Sequence, residues 1–168
     1  MRIRNIALIG MPGVGKSTIG VVLAKNLGMS FIDSDLVIQE QEGKRLCELI
    51  EEHGFDGFLE IEGRVNASFY PKTAVIATGG SVVYCEEAMR HLREIAVIYY
   101  LRLPYESIQE RLGDLTKRGV VLRAGQTLSD LYKERTVLYE KYANITIDCE
   151  GKNIREIVCE IAAIAHKK

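Results

Sequence analysis

A glycine-rich segment near the N-terminus constrains the fold of this chain more than any other feature. Residues 10–17 read Gly-Met-Pro-Gly-Val-Gly-Lys-Ser and satisfy the pattern G-x-x-x-x-G-K-[ST]. An apolar run at 5–9 precedes the segment, and an amphipathic stretch from Lys16 to Asn26 follows it. The segment therefore stands between a predicted strand and a predicted helix. That is the context of a P-loop, which binds phosphate groups through its backbone N–H groups.

The residue types in this loop predict the parts of a nucleotide site. Glycine lets the backbone approach phosphate oxygens closely, and the helix N-terminus adds about half a positive charge. Lys16 is expected to bridge the β- and γ-phosphates and to take part in catalysis, while the Ser17 hydroxyl is expected to bind Mg²⁺. We therefore predict an ATP site formed by Gly13, Val14, Gly15, Lys16, Ser17 and Thr18.

The rest of the chain alternates strand patterns with helix patterns. Four further runs of apolar and β-branched residues follow the first one, at 30–33, 73–77, 96–101 and 144–148. Such runs are typical of parallel strands that are covered on both faces. They predict an α/β protein with the P-loop NTPase fold, in which a five-stranded parallel sheet is flanked by helices within one domain, 1–168. Ligands of such sheets bind at the carboxyl ends of the strands.

Helical patterns lie in three of the four intervals between the predicted strands and again after the last strand. The interval from Leu36 to Phe69 predicts two or three helices, because three glycines interrupt it: Gly43, Gly54 and Gly57. A helix is expected after Pro104, another ending at Tyr142, and a closing helix from Asn153. A glycine-bearing stretch at 112–125 is predicted to be a mobile lid.

Composition and charge exclude several classes of partner. The net charge is −1, with 22 basic and 23 acidic residues, so a broad cationic field for nucleic acid is absent from the sequence. No apolar run approaches the ~20 residues that cross a bilayer. We expect a cytoplasmic monomer whose partner is a small molecule. The four cysteines are dispersed, which predicts reduced and mostly buried thiols.

Two absences narrow the class of P-loop protein. The sequence contains no N-K-x-D motif, which a G protein would use to bind guanine. The third predicted strand runs into Thr78-Gly79-Gly80 without the aspartate usual at this place in P-loop proteins. Asp33, at the end of the second predicted strand, is then the best acidic candidate for holding the metal, through water, since Mg²⁺ keeps several waters in phosphoryl-transfer sites.

Further segments carry a family resemblance along nearly the whole chain. They read Asp33-Ser34-Asp35, Gly79-Gly80-Ser81, Lys117-Arg118-Gly119-Val120-Val121 and Glu134-Arg135-Thr136-Val137-Leu138-Tyr139. Together with the P-loop, and in this order, they resemble the D-x-D, the glycine triplet, the lid arginine and the E-R-x-P-L-Y segment of the shikimate kinases. The resemblance implies a kinase that uses ATP and Mg²⁺ to convert shikimate to shikimate 3-phosphate, in aromatic amino acid biosynthesis.

The resemblance also implies a role for each matching residue. Asp33 would serve the metal, while Asp35 would bind the substrate hydroxyls and accept the proton. Gly80 would approach the substrate with its backbone N–H, and Arg135 would hold the substrate carboxylate. In the nucleotide site, Arg111 would lie against adenine and Arg118 would close over the phosphates as a catalytic cation.

Simpler interpretations of these residues remain open at the level of sequence. Asp35 could be no more than a helix N-cap, Arg118 could be a solvated surface arginine, and Arg111 and Arg135 could form ordinary ion pairs on helices.

The sequence departs from the family at two positions in the expected acceptor pocket. Leu59 stands where the resemblance places an arginine that also grips the substrate carboxylate, and Ser81 replaces the third glycine. Three alternatives to shikimate kinase activity remain. The first is a kinase of another small hydroxy acid or amino alcohol, such as homoserine. The second is a gluconate-kinase-like or nucleoside-monophosphate-kinase-like activity, of which the latter is disfavoured because several basic residues for a second nucleotide are absent. The third is a catalytically inactive regulator that binds nucleotide.

Overall fold

One parallel sheet of five strands forms the centre of the protein, whose computed structural model describes residues 5–113, 120 and 122–167. The strands are β1 (Asn5–Ile9), β2 (Ser30–Asp33), β3 (Ala74–Ala77), β4 (Ala96–Arg102) and β5 (Ile145–Asp148). They lie in the order β2-β3-β1-β4-β5, and all neighbouring strands are parallel. The predicted five-stranded parallel sheet is confirmed.

Seven α-helices surround the sheet within the described part of the chain. They are α1 (Lys16–Leu27), α2 (Ser34–Glu42), α3 (Leu46–Ala67), α4 (Glu86–Ile95), α5 (Tyr105–Leu112), α6 (Leu128–Tyr142) and α7 (Ile154–Lys167). Helix α1 packs on α7, while α3 packs on α2 and α4. A short 3₁₀ helix, Val82–Tyr84, links β3 to α4. No helix in this part of the chain is long and apolar enough to cross a membrane.

The sheet brings the ends of three strands together. Residues of β1 and β3 are buried throughout, so their continuous apolar sequences fit strands covered on both faces. Leu8 pairs with Ala77, and Ala77 pairs with Asp33, so the carboxyl ends of β1, β3 and β2 meet at one edge. From β1 the chain crosses to β2, whereas from β3 it crosses to β4, on the opposite side of β1. The loops after the neighbouring strands β1 and β3 therefore leave in opposite directions, and they lie side by side at the switch point of the sheet.

Helix α3 differs from the sequence prediction in one respect. Gly54 has φ 69° and ψ −175°, which kinks the helix, and Gly43 ends α2 in the left-handed region with φ 66°. Gly57, in contrast, lies inside α3 without a break, so the predicted interruption there is wrong.

The prediction of mostly buried thiols is also wrong: Cys149 is buried and Cys85 half-buried, but Cys47 and Cys159 are exposed.

Candidate active site

A cavity of about 390 Å³ opens at the carboxyl edge of the sheet. Its wall combines residues from the P-loop, α2, α3, the loop after β3, and α6. Those that bear on the chemistry are Lys16, Ser17, Asp35, Glu62, Gly79, Gly80, Ser81 and Arg135. Phosphate-binding groups and residues expected to bind the acceptor thus share one space.

The P-loop has a conformation that needs glycine. Gly13 and Gly15 have φ values of 83° and 101°, in the region that residues with a side chain rarely adopt. A Cβ at Gly10 would lie 2.7 Å from the carbonyl oxygen of Leu101, so the loop also passes close to β4. The segment 10–17 therefore joins the buried strand β1 to α1 as the sequence predicts.

Lys16 folds back over this loop. Its Nζ donates hydrogen bonds to the carbonyl oxygens of Gly10 at 2.7 Å and Met11 at 3.0 Å, and the side chain is buried. Burial lowers the pKa of Lys16 to about 8, although the carboxylate of Asp35 opposes the shift. An anion placed in the cavity would find a cation that is already close to the loop. Ser17 and Thr18 also line this space, at the N-terminus of α1.

Asp33, at the end of β2, and Asp35, at the start of α2, have different roles in the structure. Asp33 is the N-cap of α2, and its Oδ1 accepts a hydrogen bond from the backbone N–H of Asp35 at 3.0 Å. The interpretation of Asp35 as the cap is therefore wrong. Asp35 lies in the first turn of α2 and lines the cavity. Burial raises the pKa of Asp35, and the charge of Asp33 raises it further, whereas Lys16 lowers it.

Glu62 is a buried carboxyl group that the sequence analysis assigned no role. Only 1% of it is exposed, and its Oε2 accepts a hydrogen bond from the Ser81 hydroxyl. Burial raises the pKa of Glu62 to about 7, although the hydrogen bond from Ser81 lowers it. Oε1 has no hydrogen-bond partner among the described residues. A Cβ at Gly79 would lie 1.9 Å from this oxygen and 3.2 Å from Asp35 Oδ1, so glycine is required between the two carboxyl groups.

Arg135 lies at the base of the cavity on α6. Its exposed fraction is 3%, and its Nε has no hydrogen-bond partner within the described ranges. No ion pair joins it to an acidic residue in that part of the chain, so the interpretation as an ordinary surface pair is not supported. A Cβ at Gly80 would lie 3.0 Å from one guanidinium nitrogen of Arg135, and the Gly80 carbonyl accepts a hydrogen bond from the Tyr139 hydroxyl at 2.6 Å. Arg135 and Tyr139, one helical turn apart, thus pack against the glycine loop.

The remaining predicted residues have mixed outcomes. Arg111 is exposed beside the P-loop, and its guanidinium donates to the Val14 carbonyl at 3.5 Å. Arg118 and half of the expected lid, residues 114–119 and 121, lie outside the described residues. Leu59 is half-buried on α3, but the α3 residues that line the cavity are Leu46, Ile50, Phe55, Phe58 and Glu62. The structure therefore does not bring Leu59 into the cavity wall.

An aromatic pair, formed by Phe55 of the cavity wall and its neighbour Tyr84 and called the rim below, is a further feature that sequence reasoning missed. The rings of Phe55 and Tyr84 meet edge to face, with their centroids 6.1 Å apart. The guanidinium carbon of Arg123 lies 4.9 Å from the Phe55 centroid and 5.6 Å from that of Tyr84. Arg135 lies 5.4 Å from the same Tyr84 ring. These residues come from three separate segments, and no local pattern in the sequence connects them.

Comparison with known proteins decides the family. The family model of shikimate kinase matches residues 12–165, which is most of the chain. The chain belongs to the shikimate kinase family. A shikimate kinase from Thermodesulfovibrio yellowstonii is 38% identical over 94% of this chain and 92% of its own length. The shikimate kinase from Persephonella marina is 35% identical over 94% of this chain and 96% of its own.

A solved structure extends this membership to the fold. The shikimate kinase from Acinetobacter baumannii, determined in complex with shikimate, matches with a TM-score of 0.87 and 30% identity. The match covers 98% of this chain and 94% of that one. A gluconokinase from Sinorhizobium meliloti matches with a TM-score of 0.61 and 18% identity, which shows a common fold alone. Membership of the shikimate kinase family also identifies the chain as an ATP-using phosphotransferase.

Proposed function

We propose that the protein transfers the γ-phosphoryl group of ATP to a hydroxyl group of shikimate, giving shikimate 3-phosphate. The observation that carries this proposal is the shared cavity, in which the P-loop lysine, Asp35 and Arg135 face one space. Phosphoryl transfer needs the donor phosphate and the acceptor hydroxyl held in line, with cations around the charge that develops between them. A single cavity lined by both sets of groups meets that requirement.

The P-loop residues would hold the nucleotide. Backbone N–H groups of Gly13, Val14 and Gly15 and the N-terminus of α1 would face the phosphates, with Thr18 beside them. Lys16 would exchange its two carbonyl contacts for the β- and γ-phosphate oxygens, which attract the ammonium group more strongly. Arg111, which already lies against the loop, would pack beside the base. Arg118 is proposed, from the resemblance alone, to supply a further cation to the phosphates.

The residues at this site fit a magnesium ion. Within the described ranges there is no cluster of three or more acidic, histidine or cysteine side chains that would form a protein cage for a metal. Mg²⁺ in phosphoryl-transfer sites needs few protein ligands, since phosphate oxygens and water complete its shell. The exposed Ser17 hydroxyl would bind it directly. Asp33 would act through water, because Oδ1 already caps α2 and Oδ2 is free of described hydrogen bonds. The ion would neutralise charge on the phosphates.

The acceptor would bind between Asp35 and the glycine loop. A carboxyl group with a raised pKa beside an ammonium group can accept a hydrogen bond from an alcohol and take up its proton as the phosphate ester forms. The backbone N–H of Gly80 would contact the same molecule. Arg135, buried with a free Nε, would pair with the carboxylate of shikimate, and this pairing would compensate its desolvation.

An acceptor panel tests this proposal. Purified protein would be incubated with Mg-ATP and either shikimate, homoserine or gluconate, and acceptor-dependent ADP release would be recorded. We expect shikimate to give a kcat/KM at least ~100-fold above the others, because a site that binds several hydroxyl groups rejects molecules that lack them. ADP release that is equal with all three acceptors, or fastest with homoserine or gluconate, would overturn the proposal.

The same assay tests the catalytic residues. Asp35→Asn should reduce kcat by about 100-fold or more, because the amide cannot accept the proton. Lys16→Ala should abolish turnover while leaving the fold intact. Glu51→Gln, at an exposed position on α3, is the matched control and should behave as wild type. We also propose that the protein acts as a single-domain cytoplasmic monomer without a nucleic-acid partner. Light scattering during turnover would test whether it is a monomer.

A further inference from the structure

We propose that Arg123 is a second cationic determinant of acceptor binding, which acts on the acceptor carboxylate from the rim of the cavity while Arg135 binds it from the base. This inference rests on the proposed function, since it needs an acceptor that carries a carboxylate. It adds to the site a residue that no motif in the sequence identifies.

The aromatic pair at the rim fixes the place of Arg123. Its guanidinium carbon lies 4.9 Å from the ring centre of Phe55, and Phe55 lines the cavity. Val120, three residues earlier, lines the cavity as well. The backbone around Arg123 is held in a turn, in which Gln126 N–H donates to the Arg123 carbonyl at 2.9 Å. Arg123 is therefore anchored one aromatic ring from the cavity.

The second ring links the two arginines. Arg123 and Arg135 lie 5.6 Å and 5.4 Å from the centre of the same Tyr84 ring. The negative faces of an aromatic ring attract cations, so Tyr84 helps to hold both guanidinium groups in place. An anion bound beside Arg135 would gain from both positive charges. The arrangement therefore fits a carboxylate better than a neutral group.

The present partner of Arg123 is weak enough to be exchanged. Its terminal nitrogen lies 3.5 Å from Glu134 Oε1, and the two side chains are 48% and 40% exposed. Exposed ion pairs of this kind contribute little, so the guanidinium can turn from Glu134 towards an anion in the cavity without a large loss. Within the described part of the chain, Arg123 is thus a second cation, besides Arg135, that is available to the acceptor, and it acts from the rim.

Steady-state kinetics with a charged and an uncharged acceptor test this role. Arg123→Gln should raise the KM for shikimate by about 5- to 20-fold, the range of a partly exposed charge contact, with kcat and the KM for ATP within about twofold of wild type. Arg123→Lys should recover part of the loss, since it keeps the charge without the planar fork. With the carboxamide analogue of shikimate, wild type and Arg123→Gln should have the same KM.

A matched control variant distinguishes the loss of a positive charge at the rim from the loss of a positive charge elsewhere on the surface. Arg64 is likewise exposed and paired with a glutamate, Glu42 at 2.6 Å, but it lies away from the cavity wall, so Arg64→Gln should leave both KM values unchanged. The effect of Arg123→Gln should also shrink as ionic strength rises. An unchanged shikimate KM in Arg123→Gln, or an equal rise with the carboxamide, would overturn the inference while leaving the proposed function intact. Failure of wild type to phosphorylate shikimate would overturn both.

Discussion

The Ser81 hydroxyl donates a hydrogen bond to Glu62 Oε2 inside the cavity that Asp35 and Arg135 also line. This contact joins the loop after β3 to helix α3 and lowers the pKa of a carboxyl group that burial otherwise raises. The result is a buried acid with a pKa of about 7 next to the proposed acceptor. Charge in the pocket should therefore change with pH near neutrality.

Glu62 should make the free energy of unfolding depend on pH. Its folded pKa of about 7 lies above the ordinary value of 4.5, so the folded protein holds this proton more tightly than the unfolded chain. Between pH 4.5 and 7 the contribution of Glu62 to stability should therefore fall as pH rises, by up to about 3 kcal/mol. In urea titrations, Glu62→Gln should gain stability relative to wild type as pH rises from 5 to 7.5. Parallel pH profiles of the two proteins would contradict this assignment.

Removing the hydroxyl of Ser81 should raise the pKa of Glu62 further. Ser81→Ala deletes the donor that stabilises the charged form of the carboxylate, while the Gly79 and Gly80 backbone is untouched. Carboxyl chemical shifts in ¹³C-glutamate-labelled protein would follow the titration of Glu62, with Glu62→Gln identifying its signal. We expect the midpoint to move upward in Ser81→Ala. A midpoint that stays in place or moves down would show that the hydrogen bond does not favour the charged form.

Position 79 should require glycine because the Glu62 side chain leaves no space for a Cβ, and not because of the backbone conformation alone. In Gly79→Ala the new Cβ would lie 1.9 Å from Glu62 Oε1, so the carboxyl group must move. We expect a loss of about 1–3 kcal/mol of unfolding free energy, typical of overpacking, with reduced turnover. The double variant Gly79→Ala with Glu62→Ala should lose at least about 1 kcal/mol less unfolding free energy than the sum of the losses in the two single variants. Strict additivity in this double-mutant cycle would place the strain elsewhere.

Nucleotide binding should draw a proton onto Lys16. With a pKa lowered to about 8, part of the Lys16 population is neutral at pH 8.5, and phosphate anions in the cavity would favour the charged form. Calorimetric titration with a non-hydrolysable ATP analogue, in buffers of different ionisation enthalpy, should reveal proton uptake at pH 8.5. Lys16→Arg cannot lose its proton and should show none. Equal proton uptake in the two proteins would assign the effect to another group.

Much of the fold could be predicted from local patterns in the sequence. The P-loop is recognisable because its glycines, Lys16 and Ser17 are adjacent in sequence, and the strands because each is a short, continuous apolar run. Helix α4, Glu86–Ile95, has no counterpart in the sequence prediction, although the structure shows Ala88, Met89 and Leu92 buried on one side. Its apolar residues recur at helical spacing among charged ones, and Glu86 and Glu87 stand in its first turn, so the sequence did carry the signal of an amphipathic helix, which the prediction missed.

The site was predicted in part, since its contacts cross between distant elements. Asp35 and Arg135 lie in segments that carry the family resemblance, and both line the cavity. The contact between Glu62 and Ser81 spans 19 residues, and burial decides its chemistry. Arg123 depends on rings from α3 and the 3₁₀ helix. The spacing of these residues along the sequence does not predict any of these contacts.

Phosphorus NMR of a reaction with shikimate tests the central claim most directly. Wild-type protein with Mg-ATP and shikimate should produce one phosphate monoester signal and one equivalent of ADP, without free phosphate, because transfer to the acceptor and not to water is proposed. Proton-coupled spectra would locate the ester on the ring, and Asp35→Asn should slow its appearance by about 100-fold. Formation of ADP with inorganic phosphate and no ester, or no ADP at saturating shikimate, would contradict the account.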